Sequence, residues 1–270
     1  MMKLSLAVLV LCMAACTADM SYEVNTTNTY VEFMTKSLMA SKQSNISKDE
    51  NKLTVMFADL QQVKADNATI AGLNNTLPAA MFTFGSETDE TAETNVNITF
   101  KRLVGTAPVF EGTFKVNIEL FTKGGNIAID GENTTVMEGD VRVVVEMANM
   151  TFADTAATLK LMLNIKGPAT PAALTPAGTD GVAYNLGDGG AVRLSKKVMK
   201  GADYEAVTPM MSGNDFSFSL PKGSPVKYSF FLKLADAKMA DADGDDPSAA
   251  AAVTPLLVTW VVAAACKLLF

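Results

Sequence analysis

The feature that most constrains this chain is a repeated alternation of apolar and polar residues. In Thr113–Leu120, Phe114, Val116, Ile118 and Leu120 fall on one side, and Thr113, Lys115, Asn117 and Glu119 on the other. A strand turns successive side chains to opposite faces, so a period of two predicts a sheet with one buried face. Leu159, Leu161, Leu163 and Ile165 alternate in the same way with Lys160, Asn164 and Lys166. So do Val226, Tyr228, Phe230, Leu232 and Leu234 with Lys227, Ser229 and Lys233, and Val96, Ile98 and Phe100 with Asn95, Asn97, Thr99 and Lys101.

Shorter stretches predict further strands at 30–35, 53–58, 80–84, 127–129, 141–147, 182–186, 191–194 and 215–220. Turn residues separate them: Thr122-Lys-Gly-Gly125, a hairpin at Gly187-Asp-Gly-Gly190, and Pro221-Lys-Gly-Ser-Pro225. Helix is scarce. Residues 35–44 read as a short helix and 152–157 as a turn. The pattern predicts an all-β fold, an antiparallel β-sandwich of Greek-key or jelly-roll type with little helix.

The run from Gly167 to Gly181 holds three Pro, three Gly and three Thr and predicts no regular element. It is either a linker between two modules or a loop. The roughly 55 residues that follow it are few for a disulfide-free module. The expectation is therefore one sandwich over residues 19–235, crossed by a loop at 167–181.

The two ends have a different character. Lys3, an apolar run from Leu4 to Met13 and small residues up to Ala18 read as a secretory signal peptide over 1–18. Ten apolar residues are too few to span a bilayer. At the other end, an acidic stalk over 236–247 precedes small residues and an apolar tail, Leu256–Phe270. That order matches a GPI-anchor signal over 248–270, with Ser248 or Gly244 as the attachment residue. The alternative is a transmembrane helix, but no cytoplasmic basic residues follow it and Lys267 is its only charge.

Removing both ends removes Cys12 and Cys266 and leaves Cys16 at the boundary, so the domain is expected to hold no disulfide. Asn-x-Ser/Thr occurs at Asn25, Asn45, Asn67, Asn74, Asn97, Asn133 and Asn149, never with proline at x. Seven is about threefold what chance placement of its Asn, Ser and Thr gives. With a signal peptide, the surplus predicts N-glycosylation. All seven precede residue 152, which leaves the later part without sequons.

The chain has 22 basic and 29 acidic residues and no histidine. A net charge of −7 gives no electrostatic footprint for nucleic acid. Without histidine, imidazole-based triads and zinc sites are excluded. No Gly-x-Ser-x-Gly or Walker sequence is present, and no spacing marks a carboxylate pair. Asp236, Asp241, Asp243, Asp245 and Asp246 lack the glycine position and terminal Glu of a calcium loop. No pattern for a metal or a cofactor is therefore read. Arg193, Lys196, Lys197 and Lys200 form the densest basic cluster. It reads as an edge strand guarded by lysines, or as a patch for an acidic partner such as a sulfated glycan.

These features predict a non-catalytic, GPI-anchored N-glycoprotein, carried by the secretory pathway to the outer leaflet, for adhesion or recognition. Its partner would be an extracellular protein or glycan. Two alternatives remain: a structural protein secreted into an extracellular matrix, a biomineral-associated one included, and a binder of lipid or another small apolar ligand.

Overall fold

Alternating side chains pair into antiparallel ladders throughout the residues described by this computed structural model, which are 21–34, 36–42, 52–70, 77, 80–173, 181–187 and 190–234. The early strands are β1 (Tyr22–Asn25), β2 (Thr29–Phe33), β3 (Ser37–Lys42), β4 (Leu53–Val63), β5 (Thr83–Phe84), β6 (Thr88–Ala92) and β7 (Asn95–Val109). Then come β8 (Gly112–Phe121), β9 (Gly125–Ile129), β10 (Glu132–Val136), β11 (Val141–Ala148), β12 (Thr158–Lys166) and β13 (Ala172–Ala173). The last are β14 (Gly181–Gly187), β15 (Gly190–Lys200), β16 (Asp203–Ala206), β17 (Met210–Ser212), β18 (Asp215–Pro221) and β19 (Val226–Lys233).

The fold is all-β and antiparallel. A seven-stranded sheet runs in the order β1-β2-β3-β4-β12-β18-β17. A ten-stranded sheet runs β13-β14-β15-β19-β11-β8-β7-β5, with β16 paired to β15 and β6 to β7. Their inner faces share one core. Val31, Phe33, Val55 and Leu161 from the smaller sheet and Phe114, Ile118, Val143 and Phe230 from the larger are all fully buried. Burying one such side chain stabilises by about 1.5–3 kcal/mol, which is how a domain without cysteine among its described residues holds together. Strands on both sides of 167–181 belong to the same sheets, and the described residues fall in one compact unit. The last strand, β19, lies in the interior of the larger sheet, between β15 and β11.

The expected helix at 35–44 is strand β3. Leu38 and Ala40 point into the core, and the backbone pairs with β2 on one side and β4 on the other. Two apolar residues at alternating positions and two ladders outweigh a weak helical preference. Residues 35, 43 and 44 lie outside the described residues. Within 167–181, where no regular element was expected, Ala172 and Ala173 form a short edge strand on β14. Pro171 stands just before it, where its missing N–H costs the ladder nothing. The 152–157 stretch turns at Asp154–Thr155.

Strand β7 is longer than the sandwich, and its two halves bury opposite faces. Leu103, Ala107 and Val109 enter the main core, whereas Ile98 and Phe100 face the outside of the sheet. There the β9–β10 hairpin covers them. Ile127, Ile129 and Val136 of the hairpin pack on Ile98, Phe100, Phe121 and Phe231 as a second, smaller core. The hairpin is fastened polar side down as well: both oxygens of Asp130 at its turn are engaged, one by Arg142 and the other by the Ser229 hydroxyl.

Candidate functional site

Five of the seven sequon asparagines lie within the described residues, and all five are exposed: Asn25, Asn67, Asn97, Asn133 and Asn149. Asn45 and Asn74 lie outside them. The local reasons differ. Asn67 and Asn149 follow strands in the left-handed backbone region, at φ +64° and +54°, which asparagine adopts more readily than most residues. The Asn149 backbone N–H donates to the Ser224 hydroxyl at 2.7 Å. Asn97 sits on the protruding end of β7 and Asn25 at the end of edge strand β1. Asn133 on β10 points to solvent because its neighbour Thr134, only 5 % exposed, points under the hairpin. Asn25 and Asn97 lie toward the end from which β19 exits, where Lys233 meets Asp140 at 3.3 Å. Asn67 and Asn149 lie toward the opposite end.

The basic cluster is not on an edge. Strand β15 pairs with β14 on one side and with β19 on the other, and β16 adds pairs along 197–200. The lysine-rich spelling arises instead from an irregularity between Leu194 and Val198, where the register shifts. The Ser195 hydroxyl closes it, donating to the Lys197 carbonyl at 2.9 Å and accepting from the Lys197 N–H at 3.1 Å. This turns Arg193 and Lys197 toward a crevice shared with Ile129, Asp130, Thr134, Ser229 and Phe231. Lys200 is elsewhere, paired with Glu205 at 3.1 Å. The carbonyl of Lys196 accepts the Val207 N–H, and its half-exposed side chain does not line the crevice. The structure thus brings together two of the four predicted residues.

Sequence reading missed the charged rows on the outer face of the larger sheet. Glu119, buried on β8, lies between Arg102 at 2.9 Å and Arg142 at 3.3 Å. Arg142 continues to Asp130 at 3.4 Å. In a second row Glu146 lies between Lys115 at 3.9 Å and Lys227 at 3.5 Å. Cross-strand partners of opposite charge favour one register over its neighbours. The members come from four strands, β7, β8, β11 and β19, and the only trace in the sequence was a charge on the polar side of each alternation.

Burial also shifts acids here. It raises the Asp140 carboxyl above its ordinary range, with Lys233 opposing. It raises the Tyr228 hydroxyl well above the ordinary tyrosine value, and that hydroxyl donates to the Ser195 carbonyl at 3.0 Å.

The expected signal peptide and acidic stalk, the candidate attachment residues Gly244 and Ser248, and the apolar tail all lie outside the described residues, as do the three cysteines. No protein-family model and no curated protein matches this chain.

Proposed function

We propose that this chain is a non-catalytic extracellular glycoprotein, N-glycosylated and held at the outer leaflet by a C-terminal lipid anchor, where it serves adhesion or recognition. The observation that carries the reading is the exposure of every described sequon asparagine. A bulky oligosaccharide needs such positions. The signal-like N-terminus and the anchor-like C-terminus support the same reading. An apolar ligand between the sheets finds less support, since rings of Phe33, Phe57, Phe82 and Phe114 pack against one another there at 5.4–6.4 Å between centroids.

Two treatments of expressing animal cells test the proposal. Peptide-N-glycosidase should increase the mobility of the protein, and Asn→Gln at 25, 67, 97, 133 or 149 should each remove one step. Phosphatidylinositol-specific phospholipase C should release the protein into the medium. A protein of unchanged mobility would overturn the glycoprotein reading. Retention on cells after the lipase, with inositol acylation excluded, would overturn the lipid anchor in favour of a membrane-spanning tail.

A further inference from the structure

We propose that the outer face of the seven-stranded sheet is an oxidation site, at which Met56 and Met210 each take up one oxygen atom from a peroxide and turn a methionine track into a polar surface. The register of the strands builds that track. Met39 on β3 faces Thr54 of β4 in the ladder, and Met56 stands two residues further along β4. Met56 faces Asn164 of β12, and Met162 stands two residues before Asn164. Met162 and Met210 then flank Ser217 of β18 from its two sides. All four methionines point outward, because Leu38, Phe57, Leu161 and Phe216, which alternate with them or with Ser217, are buried in the core. Ser37, Thr54, Asn164 and Ser217 lie between them and carry no charge. Glu32, Asp59 and Lys166 stand at the margin as further ladder partners.

A thioether has no proton to lose before it reacts, so access of the oxidant decides which methionines are attacked. Met56 is 40 % and Met210 53 % exposed, with Met39 and Met162 half-buried beside them. Met147 and Met150, at 1 % and 8 %, lie in the main core. In the reaction a sulfur lone pair attacks one oxygen of hydrogen peroxide and the O–O bond breaks. The sulfur–oxygen bond forms, and the proton on the transferred oxygen passes to the departing hydroxide, which leaves as water. Sulfur is oxidised by two electrons and the peroxide is reduced by two. At an outward position the new oxygen projects into water, and the ladders and the core are untouched. In the core it would be buried without a donor, which opposes folding. Oxidation therefore changes what the face offers a neighbour rather than the fold: a soft, adaptable apolar surface becomes polar. A methionine sulfoxide reductase reverses the change.

Neither the glycans nor the anchor enters this inference, so it stands or falls apart from the proposed function. Purified full-length protein would be treated with hydrogen peroxide, and peptide mass spectrometry would follow each methionine over time. Met56 and Met210 should oxidise about tenfold or more faster than Met147 and Met150, with the thermal midpoint unchanged while they do so. Retention on a hydrophobic-interaction column should fall as they oxidise and recover after treatment with methionine sulfoxide reductase. Met81, Met137 and Met211 are exposed elsewhere, so the track is isolated by Met39→Leu, Met56→Leu, Met162→Leu and Met210→Leu in one protein, which keeps the face apolar but accepts no oxygen. That variant should lose most of the retention change. Met56→Leu with Met210→Leu keeps the test open if the fourfold variant fails to fold. Oxidation of Met56 and Met210 no faster than that of the core pair, a thermal midpoint that falls in step with it, or an equal loss of retention in the leucine variants would overturn the proposal.

Discussion

Phe33 of β2 and Gly105 of β7 interlock across the sandwich: a Cβ on Gly105 would stand 2.6 Å from the Phe33 ring. Phe84, the partner of Gly105 in the ladder, and Phe82 close the other sides at 3.1 and 3.3 Å. The missing side chain is therefore what lets a ring from one sheet reach the backbone of the other. Gly105→Ala should destabilise by about 1–3 kcal/mol through overpacking. Phe33→Ala should cost about 3–5 kcal/mol. The two changes touch one contact, so the double variant should lose less than their sum. Denaturant unfolding of the four proteins reads this directly.

Glu119 is the acid on which two guanidinium groups converge, and it is only 5 % exposed. The Nε atoms of Arg102 and Arg142 are buried without a partner, and removing the shared acid leaves Arg102 with Glu90 and Arg142 with Asp130 as their remaining carboxylates. Glu119→Gln should cost about 2–4 kcal/mol, below the full value of a buried pair because the arginines are partly solvated. Lys115→Ala, on a half-exposed lysine in the parallel row, should cost under about 1 kcal/mol. Urea midpoints would separate the two.

Tyr228→Phe tests the buried hydroxyl bonded to Ser195. The Ser195 carbonyl would lose its donor, at a cost of about 1–2 kcal/mol. Alkaline titration gives a second readout. The folded state holds the phenol proton more tightly, so stability should fall as pH rises above about 10, where the unfolded phenol ionises. Tyr228→Phe should flatten that part of the curve.

Asp140 gives the acid-side counterpart. Its carboxyl is raised by burial, so the folded state binds a proton that the unfolded chain has released. That penalty is present at neutral pH and is relieved as pH falls through the raised value toward about 3.9, the ordinary carboxyl value. The stability of the native protein relative to Asp140→Asn should therefore increase on acidification across that interval. Unfolding free energies of both proteins from pH 7 to 4 check the sign.

What could be read from the sequence was whatever one strand decides alone. β8, β12 and β19 bury the faces their spelling predicts, and in β8 and β19 the opposite face is buried too at Glu119, Phe121, Ser229 and Phe231, which alternation alone does not announce. β3 was missed because a six-residue strand with two inward apolar residues carries little periodic signal. The two-sided burial of β7 was missed because its apolar positions shift from even to odd numbers between Phe100 and Leu103, and only the hairpin cover explains why both are buried. The sequons are legible because their chemistry spans three residues. The crevice is assembled from a hairpin turn, an irregular strand and the last strand, so spacing gave only its two basic members.

The position of β19 has a mechanical consequence for a chain tethered through its C-terminus. A pull on Leu234 is transmitted first to the strand before it, which has seven paired positions with β11 on one side and seven with β15 on the other. The load runs along the strand, and the hydrogen bonds lie across it. They must shear together rather than open one after another. The N-terminal strand β1 has only four pairs and a single neighbour. Force applied through the C-terminus thus enters the domain at one of its most strongly held elements, and the weakly held edge carries none of it directly.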